Sequence, residues 1–128
     1  MYGLLMMKYY MEEMFDGKKT YDARLYPTPK RGRIALVDSS TFKVHGVADL
    51  TEVWEISYEE FVTWHRTGPF SNSEIAPYSA GKTCYAYGLK NIRRLTVPVR
   101  LPKDPDAHMW IEIPDKIVKT FDSQRTLF

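Results

Sequence analysis

The residues best suited to chemistry lie in one short stretch, Gly17 to Arg24, reading Gly-Lys-Lys-Thr-Tyr-Asp-Ala-Arg. Lys19 and Arg24 bring two cations, and Asp22 a carboxylate between them. A lysine taken out of water can lose its proton and act as a base, unless a neighbouring carboxylate keeps it charged. An arginine offers a planar fork of donors matched to phosphate, carboxylate or a base edge. The same three charges can equally form an ion-pair network that fixes one element against another. Other chemistries find no support. His45, His65 and His108 lack the spacing of a metal site. Gly-Lys-Lys-Thr lacks the earlier glycine of a phosphate-binding loop. Ser39 and Ser40 follow Asp38 without a nucleophile-elbow pattern.

These residues are placed by the elements around them. In Tyr9–Phe15, Tyr10, Met11, Met14 and Phe15 recur at helical spacing, with Glu12 and Glu13 opposite. Gly17 is a helix stop, since glycine takes the left-handed conformation without a steric penalty. From Thr20 the period becomes two, with Thr20, Asp22, Arg24 and Tyr26 on one face and Tyr21, Ala23 and Leu25 on the other. The charged stretch therefore joins a helix to a strand, and Pro27-Thr28-Pro29 ends that strand.

Elsewhere the opening Met1–Tyr10, with Leu4-Leu5-Met6-Met7, reads as a buried strand, and Ile34–Val37 as another. Lys43–Ile56 is a valine-rich strand in which Gly46 marks a bulge. Ser57 and Glu60 have capping-box spacing, so a helix runs from there to about Arg66, with Tyr58, Phe61, Val62 and Trp64 or His65 as its apolar stripe. Phe70–Lys82 is a packed loop carrying Phe70, Ile75 and Tyr78. Thr83–Leu95 is the longest strand signal, a proline-punctuated stretch through Pro98, Pro102 and Pro105 follows, and Met109–Ile113 is a short last strand. The tail from Lys116 is either a helix or an arm. The whole is an α+β, mainly β domain: a small closed barrel of about five to six strands with two or three flanking helices.

The chain has 128 residues, enough for one core. Its net charge of +2 and pI near 8.6 fall short of a dedicated DNA-binding domain. Anion binding must come from a local cluster, either Lys30, Arg31 and Arg33 or Lys90, Arg93, Arg94 and Arg100. Cys84 is alone, which excludes an internal disulfide or cysteine metal site and suits a reducing, cytoplasmic setting. No secretory leader and no membrane-spanning run is read from the sequence. Trp64 and Tyr78, at a helix end and in a loop, are the aromatics placed to wall a ligand, whereas Trp54, Tyr85, Tyr87 and Trp110 read as core.

Gly17, Lys19, Asp22 and Arg24 resemble the Gly-x-Lys-x-x-Glu-x-Arg signature of the ASCH domain, a PUA-like β-barrel family. Val47-Ala48-Asp49-Leu50 and Cys84–Leu95 resemble two further segments of it, in order, so the likeness spans about residues 4 to 113 of a single domain covering residues 1–128. The resemblance implies a cleft between barrel and helices that takes RNA, single-stranded nucleic acid or a modified nucleoside. Lys19, Arg24, Lys30, Arg31, Trp64 and Tyr78 are its candidate ligand contacts, with neither a metal nor a cofactor implied. One branch of the family resembles an amidohydrolase of acylated cytidine that uses a lysine, a threonine and a glutamate. Its lysine falls on Lys19, but its threonine falls on Asp22, so the hydroxyl is missing, and its glutamate corresponds to Glu59, Glu60 or Glu74. If the chain is an enzyme, Lys19 and Asp22 are the catalytic pair, for that reaction or for metal-independent RNA cleavage. A protein-interaction module is the remaining alternative.

Overall fold

The computed structural model describes residues 1–66, 68, 81–124 and 126–127. Along the chain run β1 (Tyr2–Met6), α1 (Lys8–Phe15), β2 (Tyr21–Arg24), β3 (Gly32–Asp38), β4 (Lys43–Ile56), α2 (Tyr58–Arg66), β5 (Cys84–Arg100), β6 (Trp110–Glu112), α3 (Asp115–Asp122) and β7 (Thr126–Leu127). The strands form one sheet in the order β2-β5-β4-β3-β1-β6, with β7 added on β5. Only the β1–β3 pair is parallel among them. The fold is thus α+β and mainly β, with a mixed sheet curved into a half-barrel.

Both faces of the sheet are buried at its centre, which explains the unbroken apolar runs of β1 and β3. Leu4 and Leu36 enter one core with Met11, Met14, Phe61 and Tyr87. Their neighbours Leu5 and Val37 enter a second with Val44, Leu95, Ile113 and Phe121. Helix α3 covers that second face and β7 pairs with β5, so the tail is a helix followed by a short strand packed on the sheet. None of the described helices is long and apolar enough to cross a membrane.

Local signals account for the element ends. Gly17, at φ +78°, closes α1 in a Schellman motif: its N–H donates to Met14 O and that of Lys18 to Glu13 O. The backbone N–H of Glu60 donates to Ser57 Oγ at 3.0 Å, capping α2 as its spacing predicts. Gly46 sits at a register shift in β4, where a Cβ would stand 2.5 Å from Arg93 O and 2.6 Å from the Phe15 ring.

Several expectations need correction. The first strand stops at Met6, and α1 starts at Lys8. Strand β5 does not end at Leu95 but runs through Pro98 to Arg100. Pro98 is tolerated because it lies between the Val44–Val99 and Gly46–Arg94 pairs, where the register shifts and its missing N–H breaks no regular ladder. Trp54 is 39% exposed, its ring tilted against that of Tyr21, and Tyr58 also faces outward. Trp110 is only half-buried, stacked on the fully buried Tyr87. The loop residues Phe70, Glu74, Ile75 and Tyr78 lie outside the described residues.

The two ends of the sheet, β2 and β6, are bridged by side chains. The Tyr87 hydroxyl donates to Tyr26 O, just beyond β2, and touches Met109 Sδ, just before β6, at 3.5 Å. Arg24 Nη2 donates to Leu5 O of β1 at 2.7 Å.

Candidate functional site

The Gly17–Arg24 junction is held under α2, and its charges divide. Lys19 Nζ donates to Trp64 O at 2.9 Å, lies 3.6 Å from Glu13 Oε1 and sits 4.5 Å from the centroid of the Trp64 ring. It thereby ties α1 and the start of β2 to the last turn of α2, where a cation meets the negative end of the helix dipole. Asp22 turns the other way. It is 2% exposed, and its carboxylate accepts a 2.5 Å bond from Arg24 Nε. The pair expected between Lys19 and Asp22 does not form: the lysine is matched to Glu13 and the aspartate to Arg24.

Replacing Lys19 by Met should leave Trp64 O without its donor and lower unfolding free energy by about 1–3 kcal/mol. Urea titration checks this. Unchanged stability with weakened nucleic-acid binding would instead place the ammonium on the ligand.

Beside this junction opens a cleft of about 600 Å³. Its wall is aromatic, built from Tyr10 of α1 and Trp64 and His65 of α2, with Phe61 beneath. Asp22 and Arg24 contribute an ion pair to the lining, joined by the exposed Tyr26, Ser39 and His108 and by Met109. Lys19 is not part of this lining; it stands behind Trp64. The volume is that of a small-molecule site, mostly apolar with a few placed polar groups.

The rings of the wall brace one another. Tyr10 and Trp64 have centroids 4.5 Å apart, Phe61 and His65 4.3 Å. Trp64 Nε1 donates to Tyr21 O at 3.0 Å and the Tyr10 hydroxyl to His65 O at 3.2 Å. Burial pushes the Tyr10 phenol up to about 12, helped by the charge of Glu13, so it stays a donor. Burial also lowers the His65 pKa, against the opposing pull of the Phe61 carbonyl. His65 Nδ1 lies 2.9 Å from that carbonyl, which assigns the proton to Nδ1 and leaves Nε2 as the acceptor.

The remaining candidates are dispersed. Lys30 Nζ lies over the rings of Tyr2 (4.5 Å) and Trp110 (5.1 Å). Arg31 Nη1 donates to the carbonyls of Thr28 and Lys30. Arg33 leaves that group to pair with Asp122 of α3. In the other basic set, Arg94 forks onto Glu12, and that bond holds the Glu12 carboxyl below its usual range. Glu59 is exposed on α2, and Glu60 accepts from the Tyr21 hydroxyl at 3.0 Å; neither lines the cleft. Tyr78 and Glu74 fall outside the described residues. Among the described residues, no group of three or more His, Cys, Asp or Glu could hold a metal ion.

Sequence reasoning passed over Tyr10, His65 and His108 as site residues. His65 had a usable signal, its place four residues after Phe61 on the inward face of α2. His108 had none, because only the tertiary path of the segment before β6 brings it to the cleft.

No family model and no curated protein matches the chain. Solved structures do. The ASCH protein of Zymomonas mobilis is 16% identical and superposes with a TM-score of 0.69, covering 97% of this chain and 95% of that one. Two single-substitution mutants of that protein match at TM-scores of 0.71 (17% identity, 97% and 96% covered) and 0.69 (16% identity, 97% and 98% covered). The fold is that of an ASCH domain. Identity this low speaks for the fold alone, so what the ASCH scaffold does in this chain must be argued from its own cleft. On that scaffold the Gly17–Arg24 stretch serves two places at once: Lys19 supports the aromatic wall from behind, and Asp22 and Arg24 reach the cleft itself.

Proposed function

We propose that the cleft binds a nucleobase, presented by RNA, single-stranded nucleic acid or a modified nucleoside. One observation carries this reading: a cleft large enough for a nucleoside, with a wall of Tyr10, Trp64 and His65 and a carboxylate–guanidinium pair, Asp22–Arg24, in its lining. Aromatic faces take any base by stacking, worth about 1–3 kcal/mol per base. Polar groups then read the base edge. Arg24 has more donors than its bonds to Asp22 and Leu5 use. Trp64 and Arg24 are the direct contacts in this reading, with Lys30 and Arg31 at the rim and Lys19 in support. A cytoplasmic setting would keep Cys84 reduced.

The test is titration of the four ribonucleosides and of ten-nucleotide RNA homopolymers at low salt, followed by tryptophan fluorescence. Saturable quenching is expected, with RNA affinity falling as salt rises. No saturable binding of any of these would reject the reading and leave the interaction-module alternative. A hydrolytic reading has one observation in its favour: His65 lines the cleft, burial lowers its pKa, and its Nδ1 is bound to the Phe61 carbonyl, which leaves Nε2 the lone pair a general base requires. Acylated cytidines and RNA incubated without added metal should then be converted by the wild-type protein and not by His65→Ala; inert wild-type protein would remove it.

A further inference from the structure

The loop that follows β2 holds two cations by contacts other than ion pairs. Lys19, Arg24, Arg33 and Arg94 each meet a carboxylate. Among the described residues no carboxylate pairs with Lys30 or Arg31. Their charges are aimed by other means. Lys30 is held over the faces of Tyr2 and Trp110, a contact that orients an ammonium without neutralising it. Arg31 is folded back by its Nη1 bonds to Thr28 O at 2.9 Å and Lys30 O at 2.7 Å, which leave its other donors unused by these contacts.

The loop is also stiff. Pro27 and Pro29 fix their φ angles, and the buried Thr28 accepts a bond from the Lys30 N–H at its hydroxyl, 3.2 Å. Two cations fixed in advance and left without an anion are what phosphate binding needs, because little order remains to be gained on contact.

The position of the loop says which phosphate. Tyr26, immediately before the loop, and Met109, immediately before Trp110, both line the cleft. Tyr26 is 61% exposed there. A base seated against Trp64 would therefore have its backbone leave the cleft past Lys30 and Arg31.

We infer that the loop of residues 27–31 is a phosphate clamp, and that the ligand of the cleft is a nucleotide within a strand rather than a free nucleoside. This rests on the base-binding reading above. Ten-nucleotide RNA homopolymers, the matching nucleosides and their 5′-monophosphates are titrated into the wild type and the double variant K30A/R31A, across a range of salt. Both substitutions are at a surface loop, and unchanged near-ultraviolet circular dichroism verifies the fold.

The decamer should bind the wild type at least tenfold more tightly than the nucleoside. Two lost phosphate contacts should make the slope of log K against log salt shallower by about 1.4, the single-strand value for two charges, with nucleoside affinity unchanged. An unchanged slope, or equal affinity for decamer and nucleoside, overturns the clamp. A monophosphate binding as tightly as the decamer overturns the strand assignment. If the decamer binds and loses slope in K30A/R31A while no nucleoside binds, the clamp stands and the cleft reading fails.

Discussion

Arg24→Met is expected to lower the unfolding free energy by about 3–5 kcal/mol, the cost of leaving one partner of a buried ion pair uncompensated. Asp22 is almost wholly enclosed, and its carboxylate lies against Arg24 Nε. A methionine fills much of the same volume but supplies neither the charge nor the donors. The second consequence is topological. Arg24 Nη2 on Leu5 O ties β2 to the far side of the half-barrel, and among the described residues β2 is hydrogen-bonded in the sheet only to β5. Urea unfolding near neutral pH measures the loss.

A companion variant separates the two contributions. In Asp22→Asn with Arg24→Met the buried charge is gone, so the double variant should be more stable than Arg24→Met alone, while the lost tie to Leu5 O persists in both. A single variant within about 1 kcal/mol of the wild type would show that the pair is solvated enough to need no partner.

What could be read from the sequence here was what neighbours in the chain decide. The Gly17 stop, the Ser57–Glu60 cap, the Gly46 bulge and the full extent of β4 each follow from residues within a turn or two of one another. The Asp22–Arg24 contact is likewise local, since residues two apart share a strand face. The partner of Lys19 was not legible. Its ammonium bonds a backbone carbonyl 45 positions away, and a carbonyl carries no sequence signal. The same holds for the ties from Arg24 to Leu5 O and from Tyr87 to Tyr26 O, which set the shape of the half-barrel.

Trp54 shows the converse error. An aromatic in an alternating strand has two faces to choose from, and the outward choice was settled by Tyr21 and by Gly88, whose missing side chain leaves room for the indole. The cleft was half visible: Trp64 and Arg24 could be named from pattern. Tyr10 and His65 looked like ordinary members of buried stripes, because the stripe of an amphipathic helix does not reveal whether it meets a core or a cavity.

Trp64→Ala should produce the other large effect, about 3–5 kcal/mol, as expected when a buried indole is removed from a packed site. The ring is 5% exposed, donates to Tyr21 O, packs on Tyr10 and underlies the Lys19 ammonium, so its loss enlarges the cleft and strips the ring contact from Lys19, which keeps its bond to the residue-64 carbonyl and its pairing with Glu13. If the cleft binds a base as proposed, that binding should be lost with the ring that stacks on it. Trp64→Phe is the control that gives this outcome meaning. It retains an aromatic face and forfeits the Nε1–H bond, so it should cost about 1 kcal/mol of stability yet still bind a base. Urea unfolding and calorimetric titration, which does not depend on tryptophan emission, read the two quantities separately. Binding retained in a destabilised but folded Trp64→Ala protein would mean that the indole only supports the wall. Binding lost in Ala and kept in Phe assigns the ring to the ligand.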